Sequence, residues 1–98
     1  MRKTTFYIGI NIKTVDGFES IGRFYIGNDG QFARSVFKKL KGDDHVDERS
    51  VLTIELMETV NNLPLNLQLI SCSLGQLGEN CALIAKEVFR GRNLNELF

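Results

Sequence analysis

The sequence predicts an α+β fold in which a four-stranded, mainly antiparallel sheet carries two helices on one face. Four segments alternate apolar and polar residues, two repeat apolar residues at helical spacing, and together they follow the tandem order ββα-ββα. A chain of 98 residues, 43% apolar and 24% charged, is typical of a single globular domain. The predicted architecture is a two-layer sandwich around one core.

The first two elements are the strands of a hairpin. Alternate apolar residues from Phe6 to Ile12 predict a half-buried strand over residues 5–13. An Asp-Gly pair at 16–17 predicts a hairpin turn, and residues 18–27 then form the return strand. Apolar residues occupy both even and odd positions of this return strand, so each of its two faces is predicted to carry apolar side chains.

A helix follows, over roughly residues 29–41. Asn28 can cap its N-terminus, with Gln31 three positions on completing a capping box. Apolar residues recur on one side of the helix and basic residues on the other. Gly42 is the residue type that commonly ends a helix.

The second half of the chain repeats this arrangement after a charged loop at 43–50. Alternate apolar residues over 52–57 predict a third strand, and those over 65–70 predict a fourth. A turn at 61–64 separates them, as its Asn and Pro residues indicate.

The last predicted element is a second helix. Ser73 and Gln76 predict a capping box at its start, and Gly91 predicts its end. Asn93 and Glu96 could cap one further turn. The apolar stripe of the helix consists of Leu77, Cys81, Ile84, Ala85 and Val88, and the terminal turn carries Leu94, Leu97 and Phe98.

The two halves, residues 5–42 and 50–91, also correspond to each other at a spacing of about 45 residues, which favours an internal duplication. Their identity is poor, and the same match would arise if both halves simply obeyed the rules for strands, turns and helices. The chain is therefore predicted to be one α+β domain with a possible pseudo-repeat.

One sheet face is predicted to remain uncovered, because each helix has a single apolar stripe and both should lie on the same side. We call the uncovered side the open face. Its apolar content exceeds what a solvated face needs, which favours an interface. By alternation the open face comprises Tyr7, Asn11, Ile21, Arg23, Tyr25, Val51, Thr53, Glu55, Met57, Gln68 and Ile70.

These residues favour a non-enzymatic module for protein interaction or assembly. Two-fold homodimers are the commonest oligomers, so a second copy is the expected partner, and an unidentified protein is the other possibility. The competing interpretation is a monomer whose aromatic and β-branched residues simply suit strands. The predicted interface residues are Tyr7, Ile21, Arg23, Tyr25, Val51, Met57 and Ile70.

Composition argues against several functional classes. Lysine plus arginine equals aspartate plus glutamate, twelve each, so the formal net charge is zero, which disfavours nucleic acid as a partner. The N-terminal segment is unlike a signal peptide, and no apolar run approaches a membrane span. With only two cysteines, the expected location is the cytoplasm, with no membrane association.

Nucleic-acid binding by the basic side of helix one is the alternative function. Arg34, Lys38 and Lys41 lie on that side, and tyrosines on the sheet could stack bases as an RRM does. The RNP1 pattern and the RRM strand order are both missing. A solvated helix face explains the same charges.

A small-ligand domain, or a minor enzyme, with a pocket between the halves or between subunits, is a further alternative. Cys72 precedes a helix N-terminus, which can lower a thiol pKa, and His45 is the only histidine that could serve it as a base. The acidic loop around Asp43 lacks the spacing of a calcium site. No catalytic residue, metal site or cofactor is therefore predicted, and Gly27–Gly30 is interpreted as a turn and cap rather than a phosphate loop.

Overall fold

A computed structural model describes residues 4–91, which form a four-stranded antiparallel sheet and two helices. The α+β prediction is confirmed. Along the sheet the strand order is β2-β1-β3-β4, so β1 and β3 are central and β2 and β4 are edges. The elements are β1 (Thr4–Thr14), β2 (Gly17–Gly27), α1 (Gly30–Lys38), β3 (Leu52–Val60), β4 (Leu63–Cys72) and α2 (Leu74–Phe89).

The core forms where the alternate apolar residues of the central strands meet both helices. Ile8 on β1 and Ile54 on β3 are fully buried, and Ile84 of α2 is buried in the same cluster. Burial of each such side chain contributes about 1.5–3 kcal/mol, so these contacts dominate the stability of the sheet. The cluster consists of Phe6, Ile8, Ile26, Ala33, Val36, Phe37, Ile54, Leu56, Ile70 and Ile84.

Two tight turns close the hairpins. In the first, Gly17 has φ +112°, a region that favours glycine, and the Thr14 hydroxyl donates to its carbonyl at 2.9 Å. In the second, Asn61 and Asn62 have φ values of 51° and 70°, as a two-residue primed turn requires. Pro64 therefore lies within edge strand β4 rather than in the turn, where its missing N–H is tolerated.

Each hairpin contains a β-bulge in its outer strand. Ile10 pairs with Gly22 and Asn11 with Ser20, so Ile21 is the extra residue in β2. A second irregularity in this hairpin lies between Phe6 and Tyr7. In the other hairpin Leu56 pairs with Gln68 and Met57 with Asn66, so Leu67 is the extra residue in β4. The two hairpins correspond to each other at a constant difference in residue number, which relates Ile10 to Leu56, Ile21 to Leu67 and Gly17 to Leu63.

The cap of α1 differs from the prediction. Asp29, not Asn28, is the N-cap, and its carboxylate accepts from the backbone N–H groups of Gln31 at 3.0 Å and Phe32 at 3.3 Å. Both Asn and Asp suit this position, so the sequence pattern alone does not decide between neighbours. At α2 the predicted capping box between Ser73 and Gln76 is confirmed, with both hydrogen bonds present.

Helix α1 is also shorter than predicted. It ends at Lys38, and Lys39 is its C-cap. Gly42 does not end the helix and instead lies against β4, where a Cβ would stand 2.5 Å from the Ser71 carbonyl oxygen. Asp43 then bonds to Ser71 in both directions at 2.8 Å. The segment after α1 is therefore fixed along the edge of β4.

The buried face of α2 includes a polar residue that the predicted stripe omits. Asn80 is buried, and its amide donates to the Lys41 carbonyl and accepts from the Lys41 N–H, both at 2.8 Å. Ala85, predicted to be in the stripe, is exposed. Compared with the predicted stripe, α2 is therefore rotated so that the Asn80 side chain faces the backbone of Lys41. The predicted terminal turn with Leu94, Leu97 and Phe98 lies outside the described residues.

Candidate interaction surface

The open face is organised in rows that run across the strands, because residues paired across strands share a face. The first row joins Tyr25, Tyr7, Met57 and Asn66; the second joins Arg23, Gly9, Glu55 and Leu69; the third joins Ser20, Asn11, Thr53 and Ser71. A fourth, shorter row contains Phe18 beside Lys13.

Two tyrosines and an arginine form a contiguous cluster in the first two rows. The rings of Tyr7 and Tyr25 lie 5.7 Å apart at 61°, an edge-to-face contact. The guanidinium carbon of Arg23 lies 5.3 Å from the centroid of the Tyr7 ring, a cation–π arrangement. Half of the Tyr25 surface, 50%, is still exposed, so part of the cluster remains accessible to solvent.

A polar network occupies the middle of the face. The amide nitrogen of Asn11 donates to the Glu55 carboxylate at 3.1 Å and approaches the Thr53 hydroxyl at 3.5 Å. Thr53, which lies between Asn11 and Ser71 in the third row, is only 3% exposed. The network therefore fixes the direction of the Glu55 carboxylate and closes the centre of the sheet to water.

Gly9 lies between Arg23 and Glu55 and contributes no side chain. A Cβ at Gly9 would stand 3.1 Å from the Met57 Cε and 3.6 Å from the Glu55 Cγ, because both side chains lean over it. Glycine at this position therefore lets Met57 and Glu55 lie flat on the sheet.

Two of the residues that sequence alternation assigned to the open face lie on its other side. Ile70 pairs with Ile54 and is 8% exposed in the core, and Gln68 pairs with Leu56. The alternation was wrong in β4 because the extra residue Leu67 reverses the parity of the strand between Asn66 and Gln68. Leu69 takes the place of Ile70 on the open face, 42% exposed opposite Glu55.

The bulge in β2 also changes which residues of that strand lie on the open face. Phe18 falls on the open face, because the extra residue Ile21 reverses the parity of β2 on its far side. Phe18 and Ile21 are both about half exposed, and the alternation rule missed Phe18. Val51 is exposed and lies just before β3, where its carbonyl accepts from the Lys13 N–H at 2.8 Å. Of the other predicted interface residues, Tyr7, Arg23, Tyr25 and Met57 lie on this face.

The basic residues predicted for helix one are partly neutralised, and Lys41 lies beyond α1 rather than on it, because the helix ends at Lys38. Lys41 pairs with Glu79 at 3.2 Å and Lys39 with Glu87 at 3.4 Å, both acidic partners belonging to α2. Arg34 lies over the Phe6 ring at 5.8 Å. Within residues 4–91, Arg34 and Lys38 are the predicted nucleic-acid residues that have no ion pair, so the surface offers fewer free cations than its sequence suggests.

A separate, open groove of about 800 Å³ has both His45 and Cys72 among its lining residues. The His45 Nε2 lies 2.9 Å from an Asp47 oxygen. The Arg49 backbone N–H first, and His45 second, lower the pKa of Asp47. Burial raises the pKa of the Cys72 thiol, with a smaller contribution from Cys81. The helix N-terminus that follows Cys72 therefore does not outweigh burial, and the raised thiol pKa disfavours a thiolate nucleophile.

Metal-ligating side chains do not converge in this part of the molecule. Among residues 4–91, no three His, Cys, Asp or Glu side chains form a group that could hold a metal ion. No helix in the same range has the length and apolar character needed to cross a membrane. Comparison of the chain with protein-family models, with curated proteins and with solved structures finds no match.

Proposed function

We propose that this protein is a non-enzymatic interaction module that forms a two-fold homodimer through the open face. The observation that carries the proposal is a sheet face with half-exposed aromatic and aliphatic side chains around a fixed polar centre. Phe18, Ile21 and Tyr25 on β2, together with Leu69 on β4, leave an apolar surface at both sides of this face. Such surfaces typically mark interaction sites.

The proposal includes a tandem ββα-ββα architecture with both helices on the face opposite the open one. Residues of both helices, such as Phe37 and Ile84, belong to the same buried cluster as the sheet residues Ile8 and Ile54. Two helices on one side would leave the Tyr7 side available to a partner. The matched bulges at Ile21 and Leu67 support a pseudo-repeat of the two hairpins.

A second copy is the favoured partner for two reasons. The chain has a formal net charge of zero, so two copies do not repel each other as whole molecules. The open face also carries both signs of charge, Arg23 and Glu55, so it can be complementary to itself. We place this assembly in the cytoplasm, since the reducing conditions there suit Cys72 and Cys81, which are both free.

The mass in solution tests the proposal. Size-exclusion chromatography with light scattering over a wide concentration range should give twice the chain mass of 11.1 kDa. Tyr25→Lys should convert the dimer to a monomer, because it places a charge in the apolar part of the face. Val15→Lys is the matched control, since Val15 is fully exposed in the first turn and should leave the dimer intact. A wild-type chain that stays monomeric at millimolar concentration would overturn the proposal.

A further inference from the structure

Two oppositely charged side chains lie at one level of the open face. Arg23 on β2 and Glu55 on β3 both pair with Gly9 on β1, so they are two strand spacings, about 10 Å, apart. Within residues 4–91 neither side chain takes part in an ion pair. Each is nevertheless held in place, Arg23 over the Tyr7 ring and Glu55 by the Asn11 amide.

We infer that two copies stack open face to open face about a two-fold axis that runs roughly parallel to β1 and passes over Gly9. This inference rests on the proposed homodimer and specifies its geometry. Because β2 and β3 lie on either side of β1, the two-fold rotation places β2 of each copy over β3 of the other. It therefore places Arg23 of each copy against the partner subunit's Glu55. Two ion pairs form, one on each side of the axis.

The neighbouring rows are complementary under the same operation. Tyr25 falls over the partner subunit's Met57, because both pair with the same residue of β1. Phe18 falls over the partner subunit's Val51, since each is opposite Lys13. Apolar side chains thus meet apolar side chains at these two positions, and in the third row the polar Ser20 falls over the partner subunit's Thr53. Stacked sheets lie about 10 Å apart, a gap that these long side chains fill from both sides.

The opposite orientation of the axis is disfavoured by the same charges. A two-fold axis along the charged row, perpendicular to the strands, would place Arg23 against the partner subunit's Arg23 and Glu55 against the partner subunit's Glu55. Like charges held together across an interface cost several kcal/mol. The row of Arg23 and Glu55 therefore favours the axis parallel to β1, with two ion pairs against the single like-charge contact of Lys13, exposed at the end of β1, with its own copy.

A charge-swap experiment tests this geometry. The dimer dissociation constant is measured by analytical ultracentrifugation for the wild type, for Arg23→Glu, for Glu55→Arg and for the double variant. Each single variant creates two like-charge contacts and should weaken the dimer at least about tenfold. The double variant restores both ion pairs with reversed polarity, so its dissociation constant should return to within about threefold of the wild-type value.

Two control variants change the net charge by the same amount away from the open face. Glu19→Arg matches Glu55→Arg, because Glu19 pairs with Ile12 and points to the opposite side of β2. Lys38→Glu matches Arg23→Glu on the exposed side of α1. Both controls should leave the dissociation constant unchanged, and thermal melting of all variants checks that each one folds.

The outcomes separate this geometry from the proposed function. If the wild type is monomeric, both fail together. If the wild type is dimeric and Tyr25→Lys breaks the dimer, but the double swap does not recover association, the open face is the interface and the axis inferred over Gly9 is wrong. An Arg23→Glu variant that dimerises as tightly as the wild type would indicate the perpendicular axis, where the substitution only replaces one like-charge pair by another, and would also overturn the inference.

Discussion

The two halves of the molecule, each with one hairpin, have matching strand register in β1-β2 and β3-β4 and differ in the chemistry they present. Their bulges occupy corresponding positions, at Ile21 and Leu67, and their turns do too. On the open face, however, Tyr7, Arg23 and Tyr25 of the first half correspond to Thr53, Leu69 and Ser71 of the second. Hairpin register is thus maintained by turns and buried residues, while the exposed face is free to diverge.

The core should respond equally in both halves if they form one cooperative unit. Ile8 and Ile54 occupy corresponding positions, and both are fully buried in one cluster. Ile8→Ala and Ile54→Ala should each lower the free energy of unfolding by about 2–5 kcal/mol, through lost burial and the cavity left behind. Urea denaturation followed by circular dichroism measures this. Two resolved transitions in either variant would show that the molecule does not unfold as one cooperative unit.

Asn80 should distinguish the halves, because the corresponding position in α1, counted from the N-cap, is Val36. Asn80→Leu leaves the Lys41 N–H and C=O without their partner. The expected loss is about 1–3 kcal/mol of unfolding free energy, the usual cost of unpaired buried polar groups. Chemical denaturation provides the measurement, and Asn80→Asp, which keeps only the acceptor, should fall between wild type and leucine. Equal stability of the leucine variant would contradict the role assigned to this side chain.

The helix caps should give the smallest difference. Asp29→Ala and Ser73→Ala should each cost about 1 kcal/mol, because each removes an acceptor for backbone N–H groups at a helix start. Asn28→Ala serves as the control for α1 and should change the melting temperature little. A larger loss at Asn28 than at Asp29 would reverse the assignment of the cap.

Alternation and capping rules anticipate much of the fold. Regular alternation in β1 predicts its buried side correctly, and Ser73 with Gln76 marks the start of α2. These features are local, so a single sequence carries them.

The candidate surface was less predictable, because a bulge reverses the parity of a strand and leaves no fixed signature. In β4 all the leucines share one parity, which predicts Leu69 on the buried side, but the bulge at Leu67 moves Leu69 to the open face and pairs Ile70 with the buried Ile54. The burial of Asn80 was not predicted for a related reason. It depends on hydrogen bonds to the backbone of Lys41, which is distant in the sequence. Both errors arise where tertiary partners, rather than local pattern, determine the side that a residue occupies.

Strand β4 has a consequence for how this chain misfolds. None of its ten residues is charged, and it lies at the edge of the sheet with Leu63 and Leu65 more than half exposed. Charged side chains are the usual means by which edge strands avoid pairing with other molecules. Within residues 4–91, this edge is interrupted by Pro64, by the bulge at Leu67 and by the bridge between Asp43 and Ser71. Aggregation on partial unfolding should therefore start at β4, and these three features limit how readily the chain forms cross-β assemblies.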